Sequence, residues 1–227
     1  MTATLLNPVV HRALKLKSAI NFTSFRGEHV LPVDAEEYPQ LACEFPLVFV
    51  KNSETGQFEA VALTGLVSGS NLYWQAGEWR ATRVPRTIQN YPLTFQVDAG
   101  KLQLAVIAAD MALDSQQGMP LYAADGSESA ELSERRAQLL RHLQQLHLMR
   151  EWVQRLVALD LLQAQVLQLQ DGQQINGLYL LNQQRLNQLS PEQLKQCHQG
   201  NDMLLMMAHV LSLQHLARLV QWAQQPE

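Results

Sequence analysis

The chain changes its hydrophobic rhythm part-way along. Up to about residue 110 the apolar residues come in short runs between turn-forming clusters, whereas beyond residue 130 they recur every three or four positions. The first pattern is that of strands and the second that of helices. Phe45 to Lys51 and Phe58 to Leu66 flank the turn cluster Asn52-Ser-Glu-Thr-Gly56. This predicts a hairpin whose loop is too long for a two-residue connection, with Gly56 in the left-handed region. Leu72-Tyr-Trp74 and Trp79 stand on either side of Gly77, and Val84 to Tyr91 reads as a short helix with Pro85 in its first turn, stopped by Pro92. Leu93 to Val97 and Leu102 to Ala108 predict a second hairpin, the later strand apolar on both faces as a central strand is.

After a loop over 111–129, helix dominates. From Ala130 to about Leu159 a stripe of Leu132, Leu139, Leu143, Leu146, Val153 and Leu156 runs along one face. Gln163 to Gln170 alternates polar with apolar and precedes Asp171-Gly172 and Ile175 to Leu181. A hairpin fits this stretch, and helix remains an alternative. Ser190-Pro-Glu-Gln193 carries a helix start, and Gly200 a stop. Asp202 to about Gln224 reads as one last helix, apolar over most of its circumference and therefore the central, buried packing helix. The whole is α+β: a β-rich segment (1–110), a loop (111–129) and a mainly helical segment (130–227). The antiparallel sheet of the first half packs against the helical segment, which includes a small hairpin, in one compact domain.

Composition narrows the functional classes. Of 227 residues 47% are hydrophobic and only 17% charged, with a net charge of −4; disorder requires the opposite balance. Glutamine, about one residue in eight, supplies polarity without a field. The 17 Lys and Arg are outnumbered by 21 Asp and Glu, and the cluster His11, Arg12, Lys15, Lys17 is sparse, so nucleic acid is not the expected partner. The start of the chain has no basic region before its short apolar stretch, and the most apolar window, Met203 to Val220, is interrupted by His209, Gln214, His215 and Arg218. No membrane span and a cytoplasmic location are expected, with Cys43 and Cys197 as reduced thiols.

Chemistry-bearing motifs are few. His142 and His147 are five apart and His209 and His215 six, spacings that splay imidazoles rather than pair them on a metal. No nucleophile elbow, phosphate-binding loop or cofactor motif occurs, so neither metal nor cofactor is expected. Two residues remain as weak catalytic candidates. His209, with Ser212 one turn on, is either a buried imidazole bonded to backbone or hydroxyl, or a base; Asp110, at a strand end, is either a turn cap or its acidic partner. The richest interval holds Trp74, Trp79, Arg83, Arg86 and Tyr91, with Tyr73 and Arg80 among them. Tryptophan, tyrosine and arginine anchor interfaces, so this interval is the candidate binding surface for a peptide or protein. The alternative is that the tryptophans cover a sheet while the arginines are solvated.

Read together, several segments resemble the SapC family of bacterial proteins, named after a surface-layer locus. They are His11 to Leu16, Phe45 to Val50, Ala60 to Leu66, Asn71-Leu72, Val84-Pro85, Tyr91-Pro-Leu93, Gly118-Met-Pro-Leu-Tyr122, Gly177-Leu-Tyr179 and Ala208 to Leu213. Where that family tends to Glu-Asn-Leu-Phe this chain has Ser70-Asn-Leu-Tyr73, and the family's Leu-Cys-Ile-Asp is altered to Val106-Ile-Ala-Ala-Asp110. The resemblance implies a cytoplasmic protein tied to a surface-layer or export locus, without established catalysis. The leading expectation is thus a non-catalytic binding or accessory protein for a peptide or protein. An enzyme or enzyme subunit using Asp110 and His209 is the second, and a structural homodimer the third.

Overall fold

A computed structural model describes residues 3–17, 20–107, 113–114, 118–169 and 172–224. In chain order the elements begin with β1 (Ala3–Leu5), β2 (Lys15–Leu16), a 3-10 turn (Phe22–Phe25), β3 (Val30–Pro32), α1 (Tyr38–Leu41), β4 (Leu47–Lys51) and β5 (Phe58–Leu63). Next come β6 (Trp74–Gln75), β7 (Glu78–Trp79), α2 (Arg86–Asn90), β8 (Leu93–Asp98), β9 (Lys101–Ile107), β10 (Leu113–Asp114) and β11 (Met119–Pro120). The rest is α3 (Ala130–Ala158), β12 (Leu162–Gln168), β13 (Gln174–Leu181), α4 (Gln183–Leu186), α5 (Pro191–Gln199), α6 (Asp202–Ser212) and α7 (His215–Ala223). Antiparallel sheets precede a mainly helical C-terminal part, so the α+β class holds.

The chain forms two compact units, Met1–Phe25 with Arg86–Gln144, and Arg26–Pro85 with Gln145–Glu227. In the first, β9 lies between β1 and β8, the central place its apolar faces predict. Its core gathers Leu16, Leu93, Leu104, Leu121, Tyr122, Leu132 and Leu139. Ser129 opens α3 by accepting the Leu132 N–H at 3.0 Å.

The second unit is built on a five-stranded antiparallel sheet in the order β12-β13-β4-β5-β3. Gly56, at φ 70°, closes the β4–β5 turn in the left-handed conformation that the turn cluster predicts. Register places Leu47 opposite Ala62 and Phe49 opposite Ala60, so the large residues of β4 face small ones on β5. This leaves room for α3 and α6 on that face, where Phe49 meets Trp152 and His209. Complete burial of Phe49, Trp152, Tyr38, Leu156 and Met206 contributes about 1.5–3 kcal/mol per side chain relative to exposure.

Two caps settle local directions. Ser190 and Gln193 form a reciprocal capping box at the start of α5. Asp34 and Glu37 make a similar exchange before α1, Asp34 Oδ1 accepting from the Glu37 N–H at 2.9 Å and Glu37 Oε1 from the Asp34 N–H at 3.3 Å.

The last helix departs from expectation twice. It is two helices, α6 and α7, separated at Leu213-Gln214 without glycine or proline. The cause is Ser212, whose hydroxyl donates to the His209 carbonyl at 2.6 Å and accepts the Leu47 N–H at 3.0 Å; the chain then tightens, Leu213 N–H bonding Val210 O. Nor is it buried all round. Leu204, Met207 and Leu211, spaced along one face, are 58%, 43% and 65% exposed, because only the face bearing His209 and Ser212 meets the sheet. By length and composition Asp202–Ala223, 22 residues long with an 18-residue window of mean hydropathy 1.4, is long and apolar enough to cross a membrane. In this structure 28% of that window is buried. Its first residue, Asp202, accepts a bidentate bond from Arg155 at 2.7 and 3.0 Å, which ties the end of α3 to the start of α6.

Candidate functional site

Three aromatic residues, Phe45, Tyr73 and Trp79, come together because β6 and β7 form a tight hairpin over the loop that follows α1. Ala76 and Gly77, both at positive φ, make its turn, and Trp74 stands opposite Trp79 across it. Tyr73 is fully buried and stacks on Phe45, ring centroids 4.4 Å apart. Trp79 lies 5.9 Å from Tyr73, and Trp222, from α7, meets Tyr73 edge-on at 5.1 Å. The Tyr73 hydroxyl donates to Glu44 O at 2.7 Å and accepts from Arg218 at 3.1 Å; Arg218 also donates to Glu44 O. Burial pushes the Tyr73 phenol up to about 12, with the Arg218 bond acting in the opposite direction. The guanidinium of Arg80 lies over Trp222 at 3.8 Å and that of Arg218 at 5.0 Å from the same ring.

Beside this cluster runs a groove of about 680 Å³, within the size range of ligand clefts. Trp74 and Trp222 line it together with Arg26 and the chain from Gly69 to Leu72. Among the described residues no carboxylate lines it. Arg26 is exposed, whereas both tryptophans are half-buried.

The sequence-predicted binding residues therefore have different fates. Trp74 lines the groove. Trp79 donates its indole N–H to Arg83 O at 2.9 Å, and Arg83 donates to Gln40 Oε1 at 2.9 Å and approaches Glu44 at 4.0 Å. These two residues clasp the loop after β7, where the Glu44 carboxylate also accepts the Thr82 N–H at 2.6 Å. Arg86 and Tyr91 belong to the other compact unit, in which Tyr91 packs edge-on against Phe25 at 5.1 Å. Arg26, Arg218 and Trp222 lie outside the aromatic and arginine interval of the sequence. Arg218 and Tyr73 are 145 positions apart, and only tertiary packing joins them.

His209 lies elsewhere in the same unit and is fully buried. Its Nε2 accepts the Leu181 N–H at 3.2 Å, so the neutral ring carries its proton on Nδ1, 3.5 Å from the Tyr38 hydroxyl. Burial lowers its pKa to about 4 and raises that of Tyr38. Phe49 stacks on one side of the ring at 4.9 Å. The imidazole thus satisfies a strand amide and a phenol and exposes no surface to a substrate. Asp110 lies outside the described residues. The cysteines are free thiols, Cys43 exposed and Cys197 buried.

The SapC family model matches residues 6–219. The chain belongs to the SapC family. Comparison with curated proteins and with solved structures finds no match. In this SapC-family chain the matched span takes in Arg26, the β6–β7 hairpin and Arg218, while Trp222 stands just beyond it.

Proposed function

We propose that this SapC-family protein is a non-catalytic accessory protein that holds an extended segment of a protein partner in the groove beside Trp74 and Trp222. The observation that carries this reading is the convergence of two half-buried tryptophans and the exposed Arg26 on one groove whose lining, among the described residues, has no carboxylate. Indole faces take apolar or proline-rich side chains, and a guanidinium with no competing acid among the described lining residues favours an acidic one. A segment carrying both is the fitting occupant. In the same reading the partner is a surface-layer or export-linked protein met in the cytoplasm.

Affinity capture from a native lysate tests this, comparing wild type with a Trp74→Ala, Arg26→Glu variant. The variant should lose the partners that wild type retains at moderate salt. Identical partner sets would overturn the assignment of the groove.

A further inference from the structure

The two edges of the five-stranded sheet are finished differently. β3, at one end, is three residues long and closes with Pro32, the usual means of blunting an edge. β12, at the other end, is seven residues long and lacks both proline and charge: Leu162-Gln-Ala-Gln-Val-Leu-Gln168. Over Leu162–Leu181 the only charged residue is Asp171, although five of the seven β12 residues, Gln163, Ala164, Gln165, Val166 and Gln168, are exposed. An exposed strand ordinarily carries lysine or glutamate against pairing with other chains.

The hairpin is also weakly held on its inner side. β13 has eight residues, yet it registers with β4 only through Leu178↔Val50 and Tyr179↔Phe49. Its outer part is paired with β12 alone, although Ile175 also packs against the core, and a two-stranded ribbon is by itself marginal in water. The register shift between Gln165 and Leu167, with Gly177 at φ 84° across from it, confines the irregularity to the outer half. Leu162 to Gln165 keep regular register with Leu181 to Leu178, and among the described residues no strand pairs with their other side.

We infer that β12 is the site of edge-to-edge pairing with β12 of a second copy of this chain, antiparallel about a two-fold axis, joining two five-stranded sheets into one. The occupant follows from the composition. A strand without charge meets its own copy without repulsion, whereas it offers no charge pattern by which a different partner would be selected. Antiparallel pairing about a two-fold closes the assembly and leaves neither β12 edge open. The surface lies apart from the groove residues in sequence and in sheet position, so its test is independent of the proposed function.

Sedimentation equilibrium and light scattering on the full chain provide that test. Wild type should have twice the 25.6 kDa chain mass, and the dimer should weaken at least about tenfold in a Gln163→Lys, Gln165→Lys variant, where antiparallel pairing sets like charges side by side. The Gln163→Glu, Gln165→Glu variant should dissociate in the same way. An equimolar mixture of the two should recover the dimer, which separates pairing from any fault in folding. Wild type that stays monomeric up to about 100 μM overturns the inference, as does a dimer indifferent to both variants, or a mixture of folded variants that stays monomeric.

Discussion

Two tyrosine hydroxyls in the larger unit each meet a basic side chain supplied by the C-terminal helices, and the pairs behave in opposite ways. Tyr38 faces His209 in the middle of the core, among the fully buried Phe49, Trp152 and Leu156. Tyr73 faces Arg218 at the margin, where Arg80, Trp222 and the groove follow. Burial selects the base: imidazole can become neutral at modest cost and so survives at the centre, whereas a guanidinium stays charged and must keep one side near solvent. The first pair can only stabilise. The second sits where it can also shape a surface that binds.

The largest effect should come from removing the imidazole. His209→Ala leaves the Leu181 amide and the Tyr38 hydroxyl unpaired beside a cavity, and we expect a loss of about 4 kcal/mol in urea unfolding. A loss below about 1 kcal/mol would mean that water replaces the ring and that the centre is wetter than described.

The next test uses pH. The folded chain holds His209 at about 4, whereas the unfolded chain titrates near 6.5, so the unfolded state binds the extra proton between those values. Stability attributable to this group should be complete above about pH 6.5 and fall by about 3 kcal/mol as pH drops to 4. His209→Gln removes the titration, so the difference between wild-type and variant stability curves isolates it. Parallel curves would contradict a buried neutral imidazole.

A smaller change is expected at the margin. Tyr73→Phe deletes the bonds to Glu44 O and Arg218 but leaves the ring stacking, and should cost about 1 kcal/mol, since water can reach the arginine. A cost equal to that of His209→Ala would erase the distinction between the two sites.

Much of this architecture is legible in the residue pattern, and the failures have a common cause. The β4–β5 and β8–β9 hairpins, α3 and the start of α5 follow from periodicity and turn chemistry, which act over a few residues. The β12–β13 hairpin, for which helix was an alternative, resolves to strands because β4 pairs with β13. The break between α6 and α7 was invisible because it depends on Ser212 reaching Leu47, 165 residues away. For the same reason, apolar residues spread around Asp202 to Gln224 do not reveal that Leu204, Met207 and Leu211 face out. The candidate site was half legible. Aromatic and arginine residues clustered in sequence mark Trp74 and Trp79, but the groove is completed by Arg26 and Trp222, which lie far outside that interval.

The claim that the groove, and not the buried His209, carries the binding is tested most directly by site-specific photo-crosslinking in cells. A photoreactive residue at Ala223, on the groove wall, should give a discrete protein adduct that disappears with Arg26→Glu and persists with His209→Gln. No adduct from Ala223, or one that survives Arg26→Glu and is lost with folded His209→Gln, would contradict the account.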